Sequence, residues 1–297
     1  MFTSIDHLVI AVADLPQAIE AYTRLGFHTF DGGTNEGIGT RSAIIFHDTQ
    51  YLELVGIEDA AQHAAAASHD ATADVGLGAY ICAGGGIRSI ALASDDLAAD
   101  VAAIRARGVE VSEPTRHART TLGGQRLEWL AAVPLGEQAL PLLFVQHLDD
   151  LDTRQRQVPQ RAPHPNSVFE MERIYIAGTN IAQMVEAYGR VVGGPPPATQ
   201  DGIIIKADMA MFTFGIGPIV VAQPYGPGPT QDALAARGPG PFQVIQRSND
   251  IVATGEWMTG HGITPAAGGR RANGELVLIV GPADAHGCNM GFVGRDA

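Results

Sequence analysis

The sequence predicts an α+β protein of four βαβββ modules paired into two lobes. Three observations carry that prediction: a strand–cap–helix motif that recurs four times, short β-like runs after each helix, and one polar, proline-rich stretch near mid-chain.

The first motif is the clearest. Ile5 to Val12 reads as a buried strand running straight into a helix. Asp14 is a good N-cap acceptor, and Pro16 falls in the first turn, where its missing N–H costs nothing. Leu15, Ala18, Ile19, Tyr22 and Leu25 recur at helical spacing, and Gly26 ends the run. Phe27–Phe30, Ser42–Phe46 and Tyr51–Val55 follow as candidate strands. Alternation places Ile5, His7 and Val9 on one face of the first strand, and Tyr51, Glu53 and Val55 on one face of the last.

The second motif runs from Ile87 through Asp96 to a helix carrying Leu97, Val101 and Ile104, and its module closes on Pro141–His147. The third runs from Met171 through Asn180 to Ile181, Met184, Val185 and Tyr188, with later runs at Ile203–Ile205, Met211–Phe214 and Ile219–Ala222. The fourth, weaker copy spans Phe242 to about Gly262. Aligning the caps puts His7, Ser89, Arg173 and Gln243 in one column, at separations of 89 − 7 = 82, 173 − 89 = 84 and 243 − 173 = 70 residues. Periods this long denote modules rather than solenoid repeats. The expected boundaries are residues 1–150 for the N-terminal lobe, 151–167 for a linker and 168–297 for the C-terminal lobe. Two irregular insertions, Ala60–Gly86 and Gln223–Gly240, are read as surface filler in preference to lids over a site.

Composition bounds the function. The chain has 297 residues, 45% hydrophobic and 17% charged, which suits a globular protein with a substantial core. A formal charge of −13 argues against nucleic acid and anionic membranes as partners, because no basic stripe exists to displace counterions. Cys82 and Cys288 lie far apart and form no metal-type cluster, which suits a reducing compartment. No membrane span and no signal peptide are visible, so a cytoplasmic protein is expected.

Glu53 begins the functional argument. It stands between Leu52 and Leu54 on a strand whose other residues are mostly apolar, and a buried, unpaired carboxylate is costly. It therefore needs a cation or an ion-pair partner, for which Arg41 on a neighbouring strand is one candidate.

The four modules, with His7 on the first strand and Glu53 on the last strand of module one, resemble the vicinal oxygen chelate superfamily. That group includes glyoxalase I, methylmalonyl-CoA epimerase, extradiol ring-cleaving dioxygenases and bleomycin-resistance proteins. The runs Ile5–Leu15 and Tyr51–Val55 are most like its glyoxalase-like members, and Pro282–Val293 looks like the last strand of such a module. The resemblance implies two lobes of curved mixed sheet with helices outside. It also implies a divalent metal, Zn, Mn or Fe, that holds adjacent oxygens of a small-molecule substrate.

On that resemblance His7 and Glu53 are metal ligands. Ser89 is a poor ligand, and His147 at the end of module two becomes the third, with Gln146 as the alternative if the register slips by one. Glu53, Arg41 and Tyr51 are the candidate catalytic residues, and Arg126 could line the cup with them. In the C-terminal half the ligand columns hold Arg173, Gln243 and Gly291, so no metal is expected there. That half would serve as scaffold, substrate wall or homodimer surface.

Each residue also has a plain structural role open to it. His7 could be a core histidine, His147 a surface one, and His47 part of a hairpin tip; His63, His69 and His286 are read as non-catalytic. Two function classes follow. One is a metal-dependent lyase, isomerase or epimerase, or with Fe(II) a ring-cleaving dioxygenase. The other is a metal-free small-molecule binding or resistance protein.

Overall fold

The computed structural model describes residues 2–136, 139–155, 163–213, 215 and 217–296. Each module has the expected order of elements. Module one comprises β1 (Ser4–Ala11), α1 (Leu15–Arg24), β2 (Phe30–Asn35), β3 (Thr40–Phe46) and β4 (Tyr51–Ile57). The insertion after it forms α2 (Ala60–Ala67), a 3₁₀ turn (Ala71–Ala73) and α3 (Leu77–Cys82). Module two is β5 (Gly86–Ala93), α4 (Leu97–Ala106), β6 (Thr115–Thr120), β7 (Arg126–Ala132) and β8 (Leu142–His147), followed by the short α5 (Leu151–Gln155). Module three is β9 (Val168–Ala177), α6 (Ile181–Val192), β10 (Gln200–Gly202), β11 (Ala207–Phe212) and β12 (Ile219–Pro224), followed by α7 (Pro229–Arg237). Module four is β13 (Gly240–Ser248), α8 (Ile251–Gly260), β14 (Ala266–Arg270), β15 (Leu276–Val280) and β16 (Asn289–Gly294).

The caps form as the sequence dictates. Asp14 accepts from Gln17 N at 2.9 Å, Asp96 from Ala99 N at 3.0 Å and Asn180 from Gln183 N at 3.1 Å. Two strand expectations shift. Phe27 turns inward before β2 begins at Phe30, and residues 203–206 form a turn between β10 and β11 rather than a strand. Phe214, the expected end of one run, and residues 156–162 of the expected linker lie outside the described residues.

The N-terminal sheet is a closed barrel in the order β1-β4-β3-β2-β6-β7-β8-β5; the C-terminal sheet is open, β10-β11-β12-β9-β13-β16-β15-β14. Closure comes from two antiparallel pairs, Thr34 with Thr120 and Asn35 with Arg119. First and last strands of each module run parallel, and the two modules of a lobe meet antiparallel through β1·β5 and β9·β13. The fold is α+β with curved mixed sheets and helices outside.

One backbone irregularity recurs at the same place in all four modules. The β1·β5 register skips Asp6 and Arg88, and the β9·β13 register skips Glu172 and Phe242. These four residues immediately precede the aligned column of His7, Ser89, Arg173 and Gln243; Phe169, skipped near the start of β9, is a separate irregularity. A bulge of this kind breaks the strict alternation and re-aims a side chain. The lobes also share one continuous hydrophobic core: Leu8, Ile10, Tyr22 and Phe27 belong to the same cluster as Met171, Ile174, Tyr188 and Phe292.

Candidate metal and substrate site

The barrel encloses a cavity of about 800 Å³. Alternation on its strands decides what lines it. His7 and Val9 of β1, Tyr51, Glu53 and Val55 of β4, and Leu143, Val145 and His147 of β8 all face inward. Gln146 faces away and accepts from Leu97 N at 2.9 Å, so it ties β8 to the start of α4. His147 is thus the member of that pair that reaches the cavity.

His7 and Glu53 meet inside the barrel. The His7 Nδ1 stands 2.7 Å from Asp6 Oδ2, and its Nε2 lies 3.4 Å from Glu53 Oε2. That Nε2 is buried and has no hydrogen-bond partner. The imidazole plane is held by stacking on Tyr51, with ring centroids 4.4 Å apart and planes 19° from parallel. Glu53 is fixed from behind by a polar relay: Ser42 Oγ donates to its Oε1 at 2.6 Å, and Asn35 Nδ2 donates to Ser42 Oγ at 3.0 Å.

Asp6 is buried between two imidazoles. His147 Nε2 lies 2.9 Å from its Oδ2, the oxygen that also meets His7, and 3.1 Å from its Oδ1. Burial alone would raise this carboxyl; His147 first, and then His7, overcome that and hold it well below the usual carboxylate range. Tyr51 moves the other way. Burial, then the charges of Asp6 and Glu53, push its hydroxyl well above its ordinary value, so it stays a protonated donor.

Among the described residues, no three His, Cys, Asp or Glu side chains stand ready to hold a metal. Two of the three expected donors converge, and the third is engaged by Asp6. Arg41 is not brought to the site. It lies on the outer face of β3, because Thr40 and Ser42 take the inward positions, and it pairs with Asp31 at 2.7 Å and Glu58 at 3.0 Å. It therefore does not neutralise Glu53 either. Arg126 likewise points outward, against Glu36 and Glu128.

Residues 5–192, more than half of the chain, match the family described as glyoxalase-like domain. The chain belongs to this glyoxalase-like family, within the vicinal oxygen chelate superfamily. Among solved structures it is similar to a hypothetical protein from Staphylococcus aureus, with a TM-score of 0.69 and 13% identity over 97% of this chain and 98% of that one. A mutant 4-hydroxymandelate synthase from Streptomyces coelicolor gives a TM-score of 0.66 and 15% identity, over 100% of this chain and 94% of that one. A fusion of a xylose isomerase-like TIM barrel with 4-hydroxyphenylpyruvate dioxygenase gives 0.58 and 12%, over 100% of this chain and 49% of that one. At these identities the likeness establishes a shared fold. No curated protein sequence matches the chain.

Several site residues of this glyoxalase-like chain were not legible in its sequence. Asp6 reaches the interior only through the bulge, and strict alternation assigns it outward. Arg154 belongs to α5, inside the segment expected to be linker, yet its guanidinium enters the cavity 3.8 Å from Asp6 Oδ1. Both insertions read as filler turn out to be walls. Residues 67–75 and Tyr80 close one side of the mouth, and Arg237 to Phe242 of the C-terminal lobe close another. His117 is stacked against Trp129 and lies 2.7 Å from Thr72 Oγ1, which ties the first insertion to the barrel wall.

Proposed function

We propose that the protein is a metal-dependent enzyme that chelates a small, vicinally oxygenated substrate in the N-terminal barrel for lyase- or isomerase-type chemistry. The observation that carries this is the contact between His7 Nε2 and Glu53 Oε2. A carboxylate only accepts hydrogen bonds, so the Asp6 contact assigns the proton of a neutral His7 to Nδ1. Nε2 then presents a lone pair to a carboxylate oxygen 3.4 Å away, out of contact with water. Two acceptors face to face repel, and a cation between them resolves the conflict. A carboxylate bound to the far nitrogen is also the arrangement that orients a ligating histidine and strengthens it as a donor.

His7 Nε2 and Glu53 Oε2 would hold the ion, and His147 would complete the set by exchanging its Asp6 contact. Imidazole and carboxylate donors suit Zn, Mn or Fe. A bound divalent ion would act as a Lewis acid toward adjacent substrate oxygens. The protein supplies the rest. Tyr51 offers a neutral hydroxyl donor to an oxygen that gains negative charge, Ser42 and Asn35 keep Glu53 aimed, and the insertion helices with the α7–β13 segment limit the entry of water.

A second reading, a metal-free small-molecule binder, is favoured by the bond between His147 and Asp6. In that case His7 is an imidazolium shared by Asp6 and Glu53. Calorimetric titration of chelator-stripped protein with Zn²⁺, Mn²⁺ and Fe²⁺ separates the two. The enzyme reading expects one site per chain that is lost in His7→Ala; no binding of any of these ions leaves the binder reading. Oxygen uptake by the Fe²⁺ form alone would shift the chemistry to ring-cleaving oxygenation.

A further inference from the structure

Among the described residues, the cavity holds two guanidinium groups with buried N–H donors that no acceptor fills. Arg119 of β6 is more than nine-tenths buried, and its Nη1 has no hydrogen-bond partner. Arg154 of α5 leaves Nε and Nη1 buried and unbonded, with its nearest carboxylate, Asp6, at 3.8 Å. Other partly buried arginines among the described residues are matched. Arg88 donates twice to Asp74, Arg271 binds Glu172 at 2.8 Å, and Arg247 binds Glu275 at 2.8 Å. The space for Arg119 is also built. Gly32 is the extra residue of a β2 bulge, and a Cβ there would come within 2.3 Å of Arg119 Nη1. A buried guanidinium with empty donors is costly unless a ligand fills them.

We propose that Arg119 and Arg154 bind the carboxylate of the substrate, an organic acid whose apolar body lies along the barrel wall toward the mouth. The inference rests on reading this same barrel as the substrate cavity. Arg154 Nη1 lies 3.8 Å from Asp6 Oδ1, Asp6 holds His7, and Arg119 lines the same cavity as His7 and Glu53, so the anion seat adjoins the His7–Glu53 pair. At this end Asp6 and Glu53 offset Arg119 and Arg154, and a divalent ion on His7 and Glu53 would leave a positive excess. A guanidinium fork matches a carboxylate in shape as well as in charge. Beyond the polar end, Val9, Val55, Leu127, Trp129, Leu143 and Val145 give an apolar wall. A cavity of about 800 Å³ accommodates more than the acid group alone.

The test uses phenylacetate, its methyl ester and phenylphosphonate, titrated calorimetrically into metal-free wild type, Arg119→Met and Arg154→Met. Phenylacetate should bind the wild type at least tenfold more tightly than the ester, and each substitution should weaken it at least tenfold while leaving the ester unchanged. Arg119→Lys, which keeps the charge, should restore part of the affinity, and unchanged circular dichroism confirms folding. Equal binding of acid and ester, or full affinity in both Met variants, overturns the proposal. Tighter binding of phenylphosphonate than of phenylacetate overturns the carboxylate assignment in favour of a phosphoryl group. Because the titration is done without metal, carboxylate binding by a protein that takes up no divalent ion would sink the metal reading and leave this one standing.

Discussion

Glu53 and Asp6 are the two carboxylates on which the site depends, and they have different tasks. Glu53 is a donor aimed by Ser42, so Glu53→Gln keeps the hydrogen bond and loses the charge. That variant should retain its thermal midpoint within a degree or two and lose metal affinity by two orders of magnitude or more; equilibrium dialysis with Zn²⁺ checks both halves. Asp6 orients two imidazoles, and Asp6→Asn should weaken metal binding by roughly 10- to 100-fold, the usual effect of removing a carboxylate behind a ligating histidine. Unchanged affinity in Asp6→Asn would show that the His7 ring is held by Tyr51 alone. Glu53 was legible because a lone acid in an apolar strand demands an explanation. Asp6 was not, because a period-two pattern cannot register a bulge.

Strand and helix identities followed from caps and periodicity, and these are local properties. Asp250 illustrates the energetic scale: it accepts from Val252 N and Ala253 N at the start of α8. Asp250→Ala should cost about 1 kcal/mol and lower the unfolding midpoint by roughly 2 °C, measured by differential scanning calorimetry. The elements misjudged from sequence are those whose role is set by distant partners. The Ala-rich insertion 60–86 reads as filler because its neighbours on the barrel wall, such as His117 beside Thr72, are remote in sequence. Arg154 is hidden in a polar run whose composition suggests a linker, and only the docking of α5 beside His147 gives it a place. The C-terminal cup carries the opposite lesson. Its bulged residue Glu172 pairs with the column residue Arg173 and with Arg271 and Arg247, so the position equivalent to Asp6–His7 is filled by ion pairs.

The whole molecule behaves as one cooperative unit on this account, since a single core runs through both lobes. At their junction His47 and His164 are buried with ring centroids 5.4 Å apart, beside His28 and Gln246. Burial, and then His164, lower His47 from 6.5 to about 3; burial, and then His28, lower His164 to about 4. Both folded values lie below the unfolded one. The unfolded chain therefore binds protons that the native state refuses, and stability is complete above pH 6.5 and falls as pH drops toward 4. The urea midpoint should fall on going from pH 7 to pH 5, with one transition by every probe, and His47→Gln should reduce that slope. The sequence placed His47 at a hairpin tip, where it is, but could not show that the tip is buried by the second lobe.

A cation between His7 and Glu53 is what the proposed chemistry requires, and anomalous diffraction from crystals grown with Mn²⁺ or Zn²⁺ tests for it in place. The expected result is one anomalous peak within about 2.0–2.3 Å of His7 Nε2 and a Glu53 oxygen, with His147 turned from Asp6 toward it. An occupied crystal whose peak lies elsewhere, or a barrel with no peak at saturating metal and His7 still 3.4 Å from Glu53, would contradict it.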